Sequence, residues 1–157
     1  MVVIRRAQVE GAAKICACLH SAFEPFRSQY TPAAFDDTVP SPEAIRERML
    51  RMHVYVAITS GGDIVGTIAC GVQGEEGHLR GMAISPPWQG RGIAEQLLRT
   101  AENDLLAAGC KRVTLDTTDP LQRAIRFYRK NGFVATGGVV DFFGMPLYEY
   151  AKPLIPH

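Results

Sequence analysis

The chain has no long apolar run. No stretch approaches the roughly 20 residues that a membrane-crossing helix needs, so no helical span is expected. It also has no excess of either charge. Lys and Arg number 17 against 16 Asp and Glu, a formal net charge of +1. Electrostatics therefore argue for neither nucleic acid nor a membrane surface as a partner. Cysteine and histidine are scarce, four of each, and neither has metal-ligand spacing. Cys16 and Cys18 are too close on an expected helix to form a finger pair, and Cys70 and Cys110 stand apart. His20, His53, His78 and His157 complete no ligand set. The cysteines read as buried free thiols of a reducing compartment, and no metal is expected. Met1 to Arg6 leads directly into a strand pattern without a signal-peptide layout, so a cytoplasmic location is the expectation.

What is present suffices for one domain with a real core. The chain has 157 residues, 46% of them apolar, without repeats, low-complexity tracts or linkers. A single domain over residues 1–157 follows. Strand patterns are expected over 2–6, 54–58, 64–70, 77–84, 112–116, 133–143 and 147–152. Helices are expected over 10–24, 41–51, 92–108 and 121–130. Ser41-Pro42-Glu43 has the composition of a helix start, with Ser as cap and Pro in first position. Residues 26–42 are rich in Ser, Thr, Pro and Asp and are expected to form a loop, with at most a short helical turn. Phe26, Tyr30 and Phe35 within it either pack beneath the loop or line a pocket.

The most informative segment is Gln89-Gly90-Arg91-Gly92-Ile93-Ala94. It follows the apolar Met82-Ala83-Ile84 and the breaker Ser85-Pro86-Pro87, and it opens an amphipathic helix. Glycines let a backbone approach a bulky group closely, and a helix N-terminus offers unpaired N–H groups with partial positive charge. Together they suit a pyrophosphate. A glycine-rich turn between strand and helix is the plainer alternative. Two distant features decide between them. One is the short β-type run Arg112 to Asp116; the other is a helix that carries Phe127-Tyr128, stops at Asn131-Gly132 and runs into a new strand at Phe133.

In this order the two motifs resemble the GNAT superfamily, the Gcn5-related N-acetyltransferases. Gln89, Gly92 and Ala94 fit the acyl-CoA motif Gln/Arg-x-x-Gly-x-Gly/Ala, and Tyr128, Gly132 and Phe133 fit the second. The motifs span residues 78–134. The resemblance implies an α/β (α+β layered) fold: a mixed, mostly antiparallel sheet of about six or seven strands flanked by about four helices. It implies an acetyl-CoA-dependent N-acetyltransferase acting on a primary amine of a small molecule or peptide. Acetyl-CoA and the amine are the implied partners, and a homodimer is left open.

The resemblance also distributes roles. The N–H groups of Gly90, Arg91, Gly92, Ile93, Ala94 and Glu95 would seat the pyrophosphate, with Gln89 as part of the motif. Arg91 would either contact a phosphate or be solvated. The backbone of Met82, Ala83 and Ile84 would pair with the pantetheine arm as an added strand would. Tyr128 would protonate the departing thiolate, or only pack its helix on the sheet. Asp116 would take the proton of the amine, or only bind loop N–H groups; Glu24, Glu75 and Glu76 are weaker candidates. Leu121 occupies a slot where many relatives carry an Asn that binds the arm, which shifts that contact toward Thr117 or Thr118. The acceptor site would be built from residues 24–35 and the hairpin at Phe142-Phe143. Two other classes compete. A non-catalytic acyl-CoA sensor would not need Tyr128. A dinucleotide-binding fold would carry a third glycine and place its motif near the start of the fold.

Overall fold

Alternation of apolar residues along the central strands buries both faces of one sheet. In the computed structural model, which describes residues 1–156, Val54, Val56 and Ala69 belong to a core under one helical layer. Their neighbours Tyr55, Ile68 and Cys70 pack into the opposite core. Seven strands form the sheet: β1 (Val2–Arg6), β2 (His53–Thr59), β3 (Ile64–Gln73), β4 (Glu76–Ile84), β5 (Arg112–Thr117), β6 (Val134–Phe142) and β7 (Met145–Pro153). Their order is β1-β2-β3-β4-β5-β7-β6. Every pairing is antiparallel except β4 with β5. That one parallel pair needs a crossover, and α4 (Ile93–Ala107) supplies it.

α4 and α5 (Gln122–Lys130) cover one face. Leu97, Leu98, Ala101 and Leu105 of α4 form a buried stripe against Ile68, Leu79, Val113 and Leu115. Complete burial of a leucine such as Leu105 is worth about 1.5–3 kcal/mol. α4 is also tied to the sheet through Asp104. Its Oδ2 accepts from the Tyr55 hydroxyl at 2.6 Å and lies 2.7 Å from His53 Nδ1. Burial opposes ionisation of Asp104, but the hydrogen bonds from Tyr55 and His53 prevail and hold its carboxyl below the ordinary value. The other face carries α1 (Ala12–Phe23) and α3 (Pro42–Met49), whose Ile15, Leu19 and Ile45 meet Val54, Val56 and Ala83.

The expected mixed sheet is there, with seven strands and five α-helices among the described residues. The helix beyond the expected four is α2 (Pro32–Thr38), inside the segment predicted to be a loop. Thr31 caps it, accepting from Ala34 N–H at 3.2 Å, and Pro32 stands in the first turn. Seven residues are too few to display a helical period in the sequence. What holds α2 is tertiary: Tyr30, Ala34 and Phe35 are buried against Met145, with Phe26 and Phe142 beside them. The aromatic residues of this segment thus pack beneath it, and Thr31 Oγ1 donates to the Phe143 carbonyl at 2.8 Å. Cys18, Cys70 and Cys110 are buried free thiols as expected, while Cys16 is only half-buried.

Two irregularities position the site. β4 pairs with β5 only at Glu76, Gly77 and His78. Beyond that point β4 stays with β3 while β5 stays with β7, so the sheet opens into a gap. Within β4, Gly81 and Met82 together face the single residue Ile68. This is a bulge, and Gly81 adopts φ +59°, in the region that favours glycine.

Candidate active site

Both helices of one face start at the mouth of the gap, because α4 follows β4 and α5 follows β5. At the start of α4, Gly90 has φ +78° and Gly92, the N-cap, φ +80°. A Cβ on Gly92 would meet nothing within 4 Å. The glycines are therefore required by backbone conformation, and the space above them is open. The first helical hydrogen bond joins Gln96 N–H to the Gly92 carbonyl at 3.3 Å. Among the described residues, the N–H groups of Gly90, Arg91, Gly92, Ile93, Ala94 and Glu95 have no partner. Free N–H groups at a helix start have the chemistry to seat an anion.

The side chains around it divide. Ile93 is buried in the core, so only its main chain can face a ligand. Ala94 is half-buried, and Glu95 lines a separate cavity along α4 with Arg99 and Glu102. Gln89 braces the loop, its Nε2 donating to the Ile84 carbonyl at 3.0 Å. Arg91 lies with its guanidinium 4.7 Å from the Trp88 ring centre, exposed at the rim. Arg123 donates to Gln89 Oε1 at 3.0 Å and so adds a second cation beside the seat. Nothing in its local sequence singled out Arg123; only the packing of α5 brings it there.

At the gap itself, Met82 and Ile84 pack toward the α4–α5 face and Ala83 toward the other. Past His78 the β5-facing row of β4 main-chain groups has no strand partner among the described residues. Tyr128 of α5 reaches this place: its hydroxyl donates to Met82 Sδ at 3.6 Å. Its ring stacks edge-on with Phe127 and Phe133. Burial pushes the phenol up to about 12, so it remains a proton donor at neutral pH. Thr117, the last residue of β5, has a buried Oγ1 with no partner. Thr118 is engaged with the Tyr30 hydroxyl at 3.1 Å, so of the two only Thr117 keeps a hydroxyl to offer.

Asp116 is not beside Tyr128. Strand alternation turns it to the opposite face, with His78 and Arg80 of β4. Its Oδ2 lies 3.7 Å from His78 Nε2, and His78 Nδ1 lies 2.8 Å from Thr114 Oγ1. No loop N–H binds the Asp116 carboxylate among the described residues. Burial raises its pKa, Glu149 adds to this, and His78 and Arg80 oppose it. The other acids are occupied elsewhere. Glu24 is exposed and held low by its hydrogen bond from Arg27, with an N–O distance of 2.8 Å. Glu75 pairs with Lys111 at 3.3 Å and Glu76 with Arg112 at 2.7 Å.

A row of free N–H groups at the start of the crossover helix, a parted strand pair and a half-buried tyrosine between them are now in place. The family model described as the acetyltransferase (GNAT) family matches residues 15–133. The chain belongs to the GNAT family of acetyltransferases. Solved structures agree in fold. The PaiA N-acetyltransferase of Thermoplasma acidophilum, in complex with coenzyme A, superposes with a TM-score of 0.81 at 17% identity, over 98% of this chain and 99% of that one. The ribosomal-protein-S18-alanine N-acetyltransferase of Escherichia coli gives 0.78 at 16%, over 100% and 96%. A GNAT-family acetyltransferase of Staphylococcus aureus Mu50 gives 0.81 at 19%, over 99% and 100%.

As a GNAT acetyltransferase the protein is an acyltransferase, and acetyl-CoA is its cosubstrate. The residues present suit that molecule: free N–H groups and two arginines for phosphates, an unpaired strand edge for the amide arm, and the orphaned Thr117 hydroxyl for one polar atom. Among the described residues no cluster of three or more His, Cys, Asp or Glu could hold a metal ion, and no helix is long and apolar enough to cross a membrane.

Proposed function

We propose that this GNAT protein is a single-domain N-acetyltransferase that moves an acetyl group from acetyl-CoA to a primary amine of a small molecule or peptide. The observation that carries this reading is the meeting of Tyr128 with Met82 at the parted strands, 3.6 Å apart, on the face where α4 offers its free N–H groups. Asp116 and His78 lie on the opposite face of the same gap. Cosubstrate and acceptor then approach from the two sides of the sheet and react between the strands.

The pyrophosphate is seated on the N–H groups of residues 90–95, and Arg91 and Arg123 add charge at the rim. The amide arm runs along β4 at Met82, Ala83 and Ile84. An ammonium group must lose a proton before it can attack. Asp116, whose carboxylate is made more basic by burial, takes that proton. The amine nitrogen bonds to the thioester carbon, and the carbonyl oxygen gathers negative charge opposite a β4 N–H. The carbon–sulfur bond then breaks, Tyr128 donates its proton to the departing sulfur, and the remaining extra proton on the acetylated nitrogen passes through water to the Tyr128 phenolate, which restores the donor. A thiol has a pKa near 8.5, well below that of Tyr128, so this transfer contributes at the low end of acid catalysis.

The test is CoA-thiol release with acetyl-CoA across small amines, polyamines, aminoglycosides and peptide N-termini, with mass spectrometry of the product. Acetyl-CoA should also raise the melting temperature by mass action, and NAD should not. Equal stabilisation by NAD, or acetyl-CoA binding with no amine acetylated, overturns the reading.

A further inference from the structure

On the Asp116 face lies a cavity of about 760 Å³, lined among others by Asp36, Asp37, Glu47, Arg48, Arg51 and Arg80. Two of its arginines are neutralised. Arg80 pairs with Asp37 at 3.2 Å and Arg51 with Glu47 at 3.6 Å. Arg48 is different. It is half-buried, and among the described residues it has neither an ion pair nor a side-chain hydrogen bond. A guanidinium withdrawn from water without a counter-ion is costly. Burial, and then the charge of Arg80, lower the Arg48 pKa to about 10, and Asp37 offsets this only in part.

The place of Arg48 gives its lack of an ion pair a meaning. Its guanidinium crosses the β4 bulge: a Cβ on Gly81 would fall 2.5 Å from it. Gly81 precedes Met82, the partner of Tyr128. Arg80, the other cation here, also acts on Asp116. A cationic end at Arg48 and an anionic end at Asp116 and Glu149 therefore flank the same gap. This is the complement of a molecule that carries both an ammonium and an anion.

We propose that the cavity at Arg48 and Arg80 binds a carboxylate of the acceptor, so that the protein acetylates the amine of an amino-acid-like substrate. The inference rests on the acetyl-transfer reading of the gap and names its substrate class. A carboxylate fits better than a phosphate. Asp37 and Glu47 are paired with Arg80 and Arg51, Arg48 alone of the three arginines has no paired acid among the described residues, and the lining with Asp36 is neutral by count, so it suits a singly charged partner and would repel a dianion. The spacing is short as well. A strand advances about 3.3 Å per residue, so an anion at Gly81 and an amine reacting beside Met82 belong to one small molecule.

The experiment compares the protein α-amino acids, β-alanine and γ-aminobutyrate with their carboxamides and with the matching aminoalkylphosphonates. Each is assayed for kcat/KM by thiol release and for Kd by calorimetry with CoA bound. At least one free acid should exceed its amide roughly ten- to hundredfold in both measures, the worth of one charge-assisted hydrogen bond. Arg48→Met, which keeps the aliphatic stem, should bring that ratio close to one, and Arg48→Lys should restore part of it. The wild-type ratio alone decides the matter if a variant fails to fold. Acid and amide treated alike, a ratio that survives Arg48→Met, a preferred phosphonate, or no acid bound at all overturns the proposal. Amides and simple amines acetylated as well as acids would remove the carboxylate site and leave acetyl transfer standing. Absence of any acetyl-CoA-induced rise in melting temperature would remove both.

Discussion

The hydroxyl of Tyr128 and the sulfur of Met82 lie 3.6 Å apart although 46 residues separate them. The contact joins the helix after β5 to the bulged strand β4, across the place where those strands part. It puts a half-buried phenol beside the parted strands.

Tyr128→Phe keeps the ring and its stacking on Phe127 and Phe133 and removes only the donor. Acetyl-CoA affinity and melting temperature should stay near wild type, while kcat falls roughly 10- to 100-fold. Steady-state kinetics and calorimetry check this. An unchanged kcat would leave Tyr128 as packing only.

Asp116→Asn is nearly isosteric and tests the base. Because burial raises the carboxyl pKa, the acid limb of kcat/KM in wild type should lie above the ordinary carboxylate range, with His78, Glu149 and Arg80 as the charged neighbours that tune it. The variant should lose rate near pH 7 and recover in part at high pH, where more acceptor is already deprotonated. A pH–rate profile identical to wild type would take the proton-accepting role away from Asp116.

Gly92 is in the left-handed region, which asparagine and aspartate tolerate better than other residues with a Cβ. Gly92→Asn and Gly92→Asp should therefore both fold, and Asp should not weaken the helix start. Only Gly92→Asp sets a negative charge against the pyrophosphate, so its acetyl-CoA Kd should rise well beyond that of Gly92→Asn. Titration calorimetry with both variants gives the comparison. Equal affinities would remove the phosphate from this seat.

Asp104 gives a pH-dependent test of the fold. Its folded pKa is depressed, so its contribution to stability is present above the unfolded carboxyl value and is lost as pH falls through the folded one. Asp104→Asn should lower the melting temperature near neutral pH, and the difference from wild type should shrink as pH drops below about 4. A difference independent of pH would mean that the carboxylate charge contributes nothing.

Much of this protein is local and was legible. The α4 stripe, the strand patterns of the central sheet and the helix stop at Asn131-Gly132 depend on residues a few positions apart. The Gln89–Ala94 motif is likewise local, because a turn with two positive-φ glycines and the free N–H groups of a helix start arise from six adjacent residues. α2 was not legible, since its seven residues are held by Met145 and Phe142 from the far end of the chain. Arg123 beside Gln89 was invisible for the same reason.

The sequence by itself determined the order of the strands and of the longer helices, the family, and a glycine turn that opens a helix after β4. Only the tertiary structure decided that Tyr128 and Asp116 stand on opposite faces of the gap, that His78 accompanies Asp116, and that Arg48 reaches across the Gly81 bulge with no ion pair among the described residues. The physical reason is register. One extra residue in β4 and three paired residues between β4 and β5 set which side chains meet, and both depend on partners far away in the chain.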